Sequence, residues 1–117
     1  MVQQAQIFGI KNSAPTRAAE RFFKERGVQV HFVDLKIKPM AAGELKRFIE
    51  KFKLQGLIDT ESSAYSDAGL KYLRVANPEL LDKCTREPKL LKLPFVRCNN
   101  KLSIGHDEAT WKAMLIT

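Results

Sequence analysis

The stretch Gln4-Ala5-Gln6-Ile7-Phe8-Gly9-Ile10-Lys11-Asn12-Ser13-Ala14-Pro15-Thr16-Arg17-Ala18-Ala19-Glu20-Arg21-Phe22-Phe23 decides how this chain folds. Its first part, Gln4–Ile10, is a short apolar run and predicts a strand. From about Pro15 to Arg26 the pattern predicts an amphipathic helix, with Ala19, Phe22 and Phe23 on one face at i, i+3 and i+4. Proline suits the first turn, where the N–H it lacks has no intrahelical partner, and Gly27 closes the helix. Ser13 stands between strand and helix. Free N–H groups and the macrodipole at a helix N-terminus favour a thiolate or a bound anion. A serine there can cap the helix and help to hold an anion. It cannot run thiol redox chemistry.

Working outward, Val28–Asp34 alternates and is rich in β-branched residues, which predicts a second strand. Strand, helix and strand make a βαβ unit, hence a parallel pair with a right-handed crossover. After Pro39, a helix is predicted from about Ala41 to Lys53, with Leu45, Phe48, Ile49 and Phe52 as its apolar stripe. Gly56 interrupts that pattern, and Asp59-Thr60-Glu61-Ser62-Ser63 reads as loop. Between Ala64 and Leu91 short helices are predicted, broken at Asn77-Pro78 and Glu87-Pro88, with Pro78 and Pro88 in first turns. Pro94–Arg97 and Leu102–Ile104 read as strands around a tight turn at Asn99-Asn100. A last helix carries Ala109, Trp111, Met114 and Leu115, with Asp107 as its cap. The order β-α-β, helices, β-β-α is an α/β, thioredoxin-like architecture. It predicts one domain over residues 1–117 with a helical insertion at about 40–92.

Composition narrows the classes. A chain of 117 residues, 44% hydrophobic, can bury a core without staples. No apolar run approaches the ~20 residues that span a bilayer, and Met1–Gln6 has neither the basic start nor the apolar run of a signal peptide. A cytoplasmic protein with no membrane partner is expected. Cys84 and Cys98 form no close-spaced motif and read as free thiols. With His31 and His106 they are too scattered to suggest zinc. The net charge of +7 suits a solvated helix surface or an acidic protein partner. Lysines and arginines alternate with acids, as in Lys24-Glu25-Arg26, and no basic-aromatic RNA motif occurs, which argues against nucleic acid.

Four tracts carry a resemblance. Ile7-Phe8-Gly9-Ile10-Lys11-Asn12 is similar to the entry into a Cys-x-x-Cys or Cys-x-x-Ser loop, and Asp59-Thr60-Glu61-Ser62-Ser63-Ala64-Tyr65 to an Asn-Thr-Arg-x-x-x-Tyr stretch. Glu87-Pro88-Lys89-Leu90-Leu91-Lys92-Leu93-Pro94-Phe95-Val96 resembles Pro-x-Leu-Ile-x-Arg-Pro-Ile-Val, and Leu102–Glu108 a closing Val-Gly-Phe-x-Glu turn. In this order they resemble the arsenate reductase (ArsC)/Spx family over nearly the whole chain. The resemblance implies a thioredoxin-like fold, an oxyanion or glutathione as ligand in the reductases, and RNA polymerase as the partner of Spx-type members.

It also implies that the functional positions have changed. The family's nucleophilic cysteine aligns with Ser13, the second loop cysteine with Thr16, and two oxyanion-binding arginines with Glu61 and Leu93. Arg17 matches the arginine after the loop, and Pro94 matches a proline expected to be cis beside the nucleophile's helix. A serine hydroxyl without an adjacent base is a poor nucleophile and lacks sulfur's oxidation states. Glu for Arg near a dianion turns several kcal/mol of attraction at ~4 Å into repulsion, before screening. One engineered substitution accounts for Ser13 but not for Glu61 and Leu93 as well, so the set reads as natural loss or repurposing.

Other candidates have plain readings. Cys98 lies ~13 Å along an extended strand from Pro94, too far to inherit the nucleophile's place. Tyr65 and Trp111 read as packing residues, and His106 as a surface turn residue. Ser13 has two roles open to it: helix cap, or residual anion site with Arg17. The expected function is a binding or regulatory protein without a catalytic residue or cofactor, on an ArsC/Spx-like scaffold. The alternative is an arsenate reductase-like or glutathione-dependent thiol oxidoreductase using another cysteine.

Overall fold

The structure, a computed structural model, describes residues 4–70 and 76–115. Two compact units are present, Met1–Lys38 with Leu93–Thr117, and Pro39–Lys92.

The first unit is built on a four-stranded sheet. Strands β1 (Gln4–Gly9) and β2 (Gln29–Asp34) are joined by helix α1 (Ala14–Glu25), and β3 (Phe95–Cys98) and β4 (Lys101–Ile104) precede the last helix (Glu108–Met114). The spatial order is β2-β1-β3-β4. β1 runs parallel to β2, with Ile7 opposite Phe32, and antiparallel to β3, with Phe8 opposite Phe95 and Ala5 opposite Cys98. This is the α/β, thioredoxin-like arrangement that the element order predicts.

Strand alternation sorts the side chains. Ala5, Ile7, Val96 and Cys98 join Ala19, Phe22, Phe23, Trp111 and Met114 in one buried cluster. Trp111 is fully buried and donates its indole N–H to Ser103 Oγ at 3.0 Å, so the one polar atom it brings inside is satisfied. Phe22 and Trp111 tilt against each other with ring centroids 5.5 Å apart.

Helix α1 ends as its sequence suggests. Gly27 takes φ +73°, its N–H donates to Lys24 O, and Val28 N–H donates to Phe23 O. Those are the two bonds of a Schellman cap, and Phe23 and Val28 both lie in the buried cluster. The β3–β4 turn is tighter than the predicted strands allow. Cys98 pairs with Lys101, so the ladder runs to the turn itself and Asn99 carries φ 59°. Pro94 precedes β3 instead of starting it, and its C=O accepts from Gly105 N–H at 3.0 Å.

The second unit holds α2 (Ala42–Phe52), α3 (Ser63–Asp67), α4 (Asn77–Arg86) and short 3-10 turns at Gln55–Leu57 and Pro88–Leu90, so the last helix of the chain is α5. Predicted helix at 71–75 lies outside the described residues. Lys53, one residue past α2, takes φ 66° and bonds back to Ile49 O, so the helix stops short of Gly56. Ser62 Oγ accepts from Tyr65 N–H and caps α3. Leu54, Leu57, Ile58, Leu80, Cys84 and Leu90 are buried, and an Ile58–Leu91 bridge with the Asp59 N–H to Leu90 O bond ties the unit's two chain segments together. No helix among the described residues is long and apolar enough to cross a membrane.

Candidate functional site

Local chemistry shapes the loop after β1. Ser13 has an extended backbone, and its Oγ accepts from Thr16 N–H at 3.3 Å, satisfying one of the free donors at the start of α1. Its own N–H donates to Ile10 O, and its C=O accepts from Arg17 N–H, the first bond of the helix. Asn12, equally suited to capping by type, is exposed and outside this bond. The Ser13 hydroxyl is therefore committed to its own helix as an acceptor, while its proton is free to donate.

Thr16 is the unusual residue of the turn. It is completely buried, and Oγ1 has no hydrogen-bond partner. A threonine hydroxyl in a helix often bonds back to a carbonyl one turn earlier, but here Oγ1 lies against Gly9. A Cβ placed on Gly9 would stand 2.5 Å from it. Leaving that hydroxyl unpaired costs about 1–3 kcal/mol.

Arg17 is exposed, and Nη1 donates to Lys11 O at 3.2 Å. It lines an open groove of about 360 Å3 with Lys11, Glu20 and Phe32. Ser13 and Arg17, the anion-site candidates named from the sequence, share the first turn of α1, and the guanidinium bonds the Lys11 carbonyl there. Lys11 and Phe32 were missed. The signal was present in the parallel register, which brings Phe32 on β2 level with Ile7 on β1, on the face that α1 covers.

Leu93 is buried, and the Leu93-Pro94 peptide bond is cis. Since Phe95 pairs with Phe8, Pro94 lies at the Gly9 end of β1, the end from which the Ser13 loop departs. Glu61 belongs to the second unit, where it is exposed and its N–H donates to Asp59 Oδ1 at 3.1 Å.

Both cysteines are buried, and neither is in a disulfide. Burial pushes the Cys84 thiol up to about 11. Burial also raises Cys98, partly offset by the positive charge of Lys101. Cys98 pairs with Ala5, at the end of β1 opposite the Ser13 loop. His106 is exposed, as its turn position suggests, and rests on Trp111 with ring centroids 5.2 Å apart. Tyr65 is half-buried on α3. Among the described residues no group of three or more His, Cys, Asp or Glu could hold a metal ion.

The ArsC family model matches residues 8–114, from the last buried positions of β1 through α5. The chain belongs to the ArsC family. Among curated proteins, the global transcriptional regulator Spx 2 of Oceanobacillus iheyensis is 25% identical over 105 residues, covering 87% of this chain and 76% of that protein. Among solved structures, arsenate reductase from Vibrio cholerae aligns over 100% of both chains at 16% identity and TM-score 0.77. An arsenate reductase (ArsC) related protein from Brucella melitensis aligns over 94% of this chain and 92% of that one, at 22% identity and TM-score 0.66. At such identities the structural likeness shows the shared fold. Within this ArsC-family chain, the loop between β1 and α1 therefore holds a serine cap, a buried threonine and a flanking basic groove.

Proposed function

We propose that this ArsC-family chain is a binding or regulatory protein that carries out no thiol catalysis. The observation that carries the reading is the state of its cysteines. Ser13 occupies the position aligned with the family's nucleophile, and both thiols lie buried with raised pKa values. Thiolate, not thiol, is the attacking species. At neutral pH these side chains are protonated and shielded, and Cys98 sits at the wrong end of β3.

Leu93 and Glu61 support the same reading. A buried leucine offers no donor to an oxyanion, and the resemblance puts a carboxylate, Glu61, where the family carries an arginine. Ser13 and Arg17 retain the capacity for a weak anion contact, without the means to reduce what they hold. The Spx 2 relative, a transcriptional regulator by name, lends the regulatory half of the proposal its analogy and makes RNA polymerase the first partner to examine.

The test has two arms. Arsenate and mixed-disulfide reduction are assayed with glutathione or thioredoxin as reductant, on the native chain and on Cys84→Ser and Cys98→Ser. No turnover above the uncatalysed rate is expected, and turnover abolished by either substitution would overturn the reading. A pull-down with purified RNA polymerase subunits at moderate salt then examines the partner, and specific retention of one subunit is expected.

A further inference from the structure

The groove beside α1 has chemistry that the cap and the cysteines leave unexplained. Three features define it. Its charge is positive on balance: Lys11 and Arg17 enter no ion pair among the described residues, and the carboxylate that lines it with them, Glu20, lies 3.7 Å from Lys24. Its wall is aromatic, since Phe32 is half-buried and contributes to the lining. Its border is a sheet edge, because β2 is the terminal strand in the order β2-β1-β3-β4.

That edge can be read residue by residue. Leu35 N–H donates to Gly9 O at 2.8 Å, across the parallel pair. Backbone direction alternates along a strand, so His31 and Val33 also face β1 while Val30 and Phe32 turn their N–H and C=O groups outward. An open edge of this kind is a template for one more strand. The Asp34 carbonyl, one alternation further on, is already occupied by Ile37 and Lys38 N–H, so the template ends at Phe32, just where the basic groove begins.

We propose that the groove receives an extended acidic segment of a partner protein, which pairs with the outer edge of β2, lays an apolar side chain on Phe32 and sets a carboxylate against Lys11 and Arg17. Charge complementarity selects an acidic occupant, and the strand edge selects an extended peptide over a free carboxylate. Arg17 keeps donors for this role, because a guanidinium carries five N–H groups and the bond to Lys11 O uses one. The proposal rests on the reading of the chain as a binding protein and names the chemical class of its partner.

The probe is a fluorescent, end-capped peptide alternating valine and glutamate, with a valine-lysine peptide, glutarate and inorganic phosphate as comparisons. Binding by the native chain is followed by fluorescence anisotropy, and the Val30 and Phe32 amides by NMR. The acidic peptide is expected to bind with Kd below about 1 mM, to shift and protect both amides, and to lose at least tenfold in affinity in Lys11→Glu and Arg17→Glu. Both positions are exposed, and circular dichroism checks their folding. Raising salt from about 0.05 to about 0.5 M on the native chain gives the same electrostatic readout without a variant. Absence of binding, equal binding of the lysine peptide, or full reproduction of the amide shifts by glutarate or phosphate would each overturn the proposal. Arsenate turnover by the native chain would sink the binding-protein reading and leave peptide binding untouched, so the two failures are distinguishable.

Discussion

Gly9 and Thr16 are packed so closely that a methyl group on Gly9 would stand 2.5 Å from Thr16 Oγ1 and 2.7 Å from Cγ2. The last residue of β1 must therefore lack a side chain for the first turn of α1 to approach it. Overpacking a rigid core contact costs about 1–3 kcal/mol. Gly9→Ala is expected to destabilise the fold by that amount in urea unfolding. Thr16→Ala, which clears the two atoms, is expected to recover at least ~1 kcal/mol in the double variant, a coupling that only touching residues show. Additive effects would remove the contact from the account.

The same contact leaves Thr16 Oγ1 buried without a partner. Valine keeps the branched shape and has no hydroxyl to desolvate. Thr16→Val should accordingly raise stability by about 1 kcal/mol, read as a higher Tm with unchanged far-ultraviolet dichroism. A lower Tm would mean that the hydroxyl has a partner after all.

The Ser13 hydroxyl accepts from one backbone donor, the Thr16 N–H in the first turn of α1. Ser13→Ala should cost about 1 kcal/mol, the worth of a helix cap. Ser13→Cys should place a thiol in the field of the helix N-terminus, with a pKa below ~8.5. It should be alkylated at neutral pH well before Cys84 and Cys98, as mass spectrometry of partly labelled protein will show. Equal labelling of the three would count against the electrostatic reading of this loop.

Cys84 links stability to alkaline pH. Its thiol ionises at 9.0 ordinarily and at about 11 in the folded chain, because burial penalises the thiolate. Between those values the unfolded chain has released a proton that the folded chain still holds. Stability is thus complete below pH 9 and falls as pH rises toward 11, by roughly 2–3 kcal/mol at most. Cys98 shifts in the same direction. Subtracting the unfolding curve of Cys84→Ala isolates this slope from that of other groups. An identical pH dependence in that variant would refute the assignment.

Much of the first unit was legible in order of chemistry. The alternation of Val28–Asp34, the i, i+3, i+4 face of Ala19, Phe22 and Phe23, and Gly27 as terminator are local signals, and each local choice agrees with the fold. Strand ends were less legible. Cys98 and Lys101 belong to the ladder because the turn between them is only Asn99-Asn100, a matter of pairing and not of propensity. The groove was invisible for a similar reason: Lys11 and Phe32 are far apart in sequence, and nothing local links them.

From its residues alone, this chain determined its element order and its family, since these depend on side-chain type and short-range periodicity. Tertiary structure decided the rest. Register set Cys98 at the far end of β1 from Ser13, the approach of α1 to β1 orphaned the Thr16 hydroxyl against Gly9, and the edge position of β2 opened Phe32 beside two cations that enter no ion pair among the described residues. Each of these is a distance between segments remote in the chain, settled by strand pairing and close packing, which no local pattern encodes.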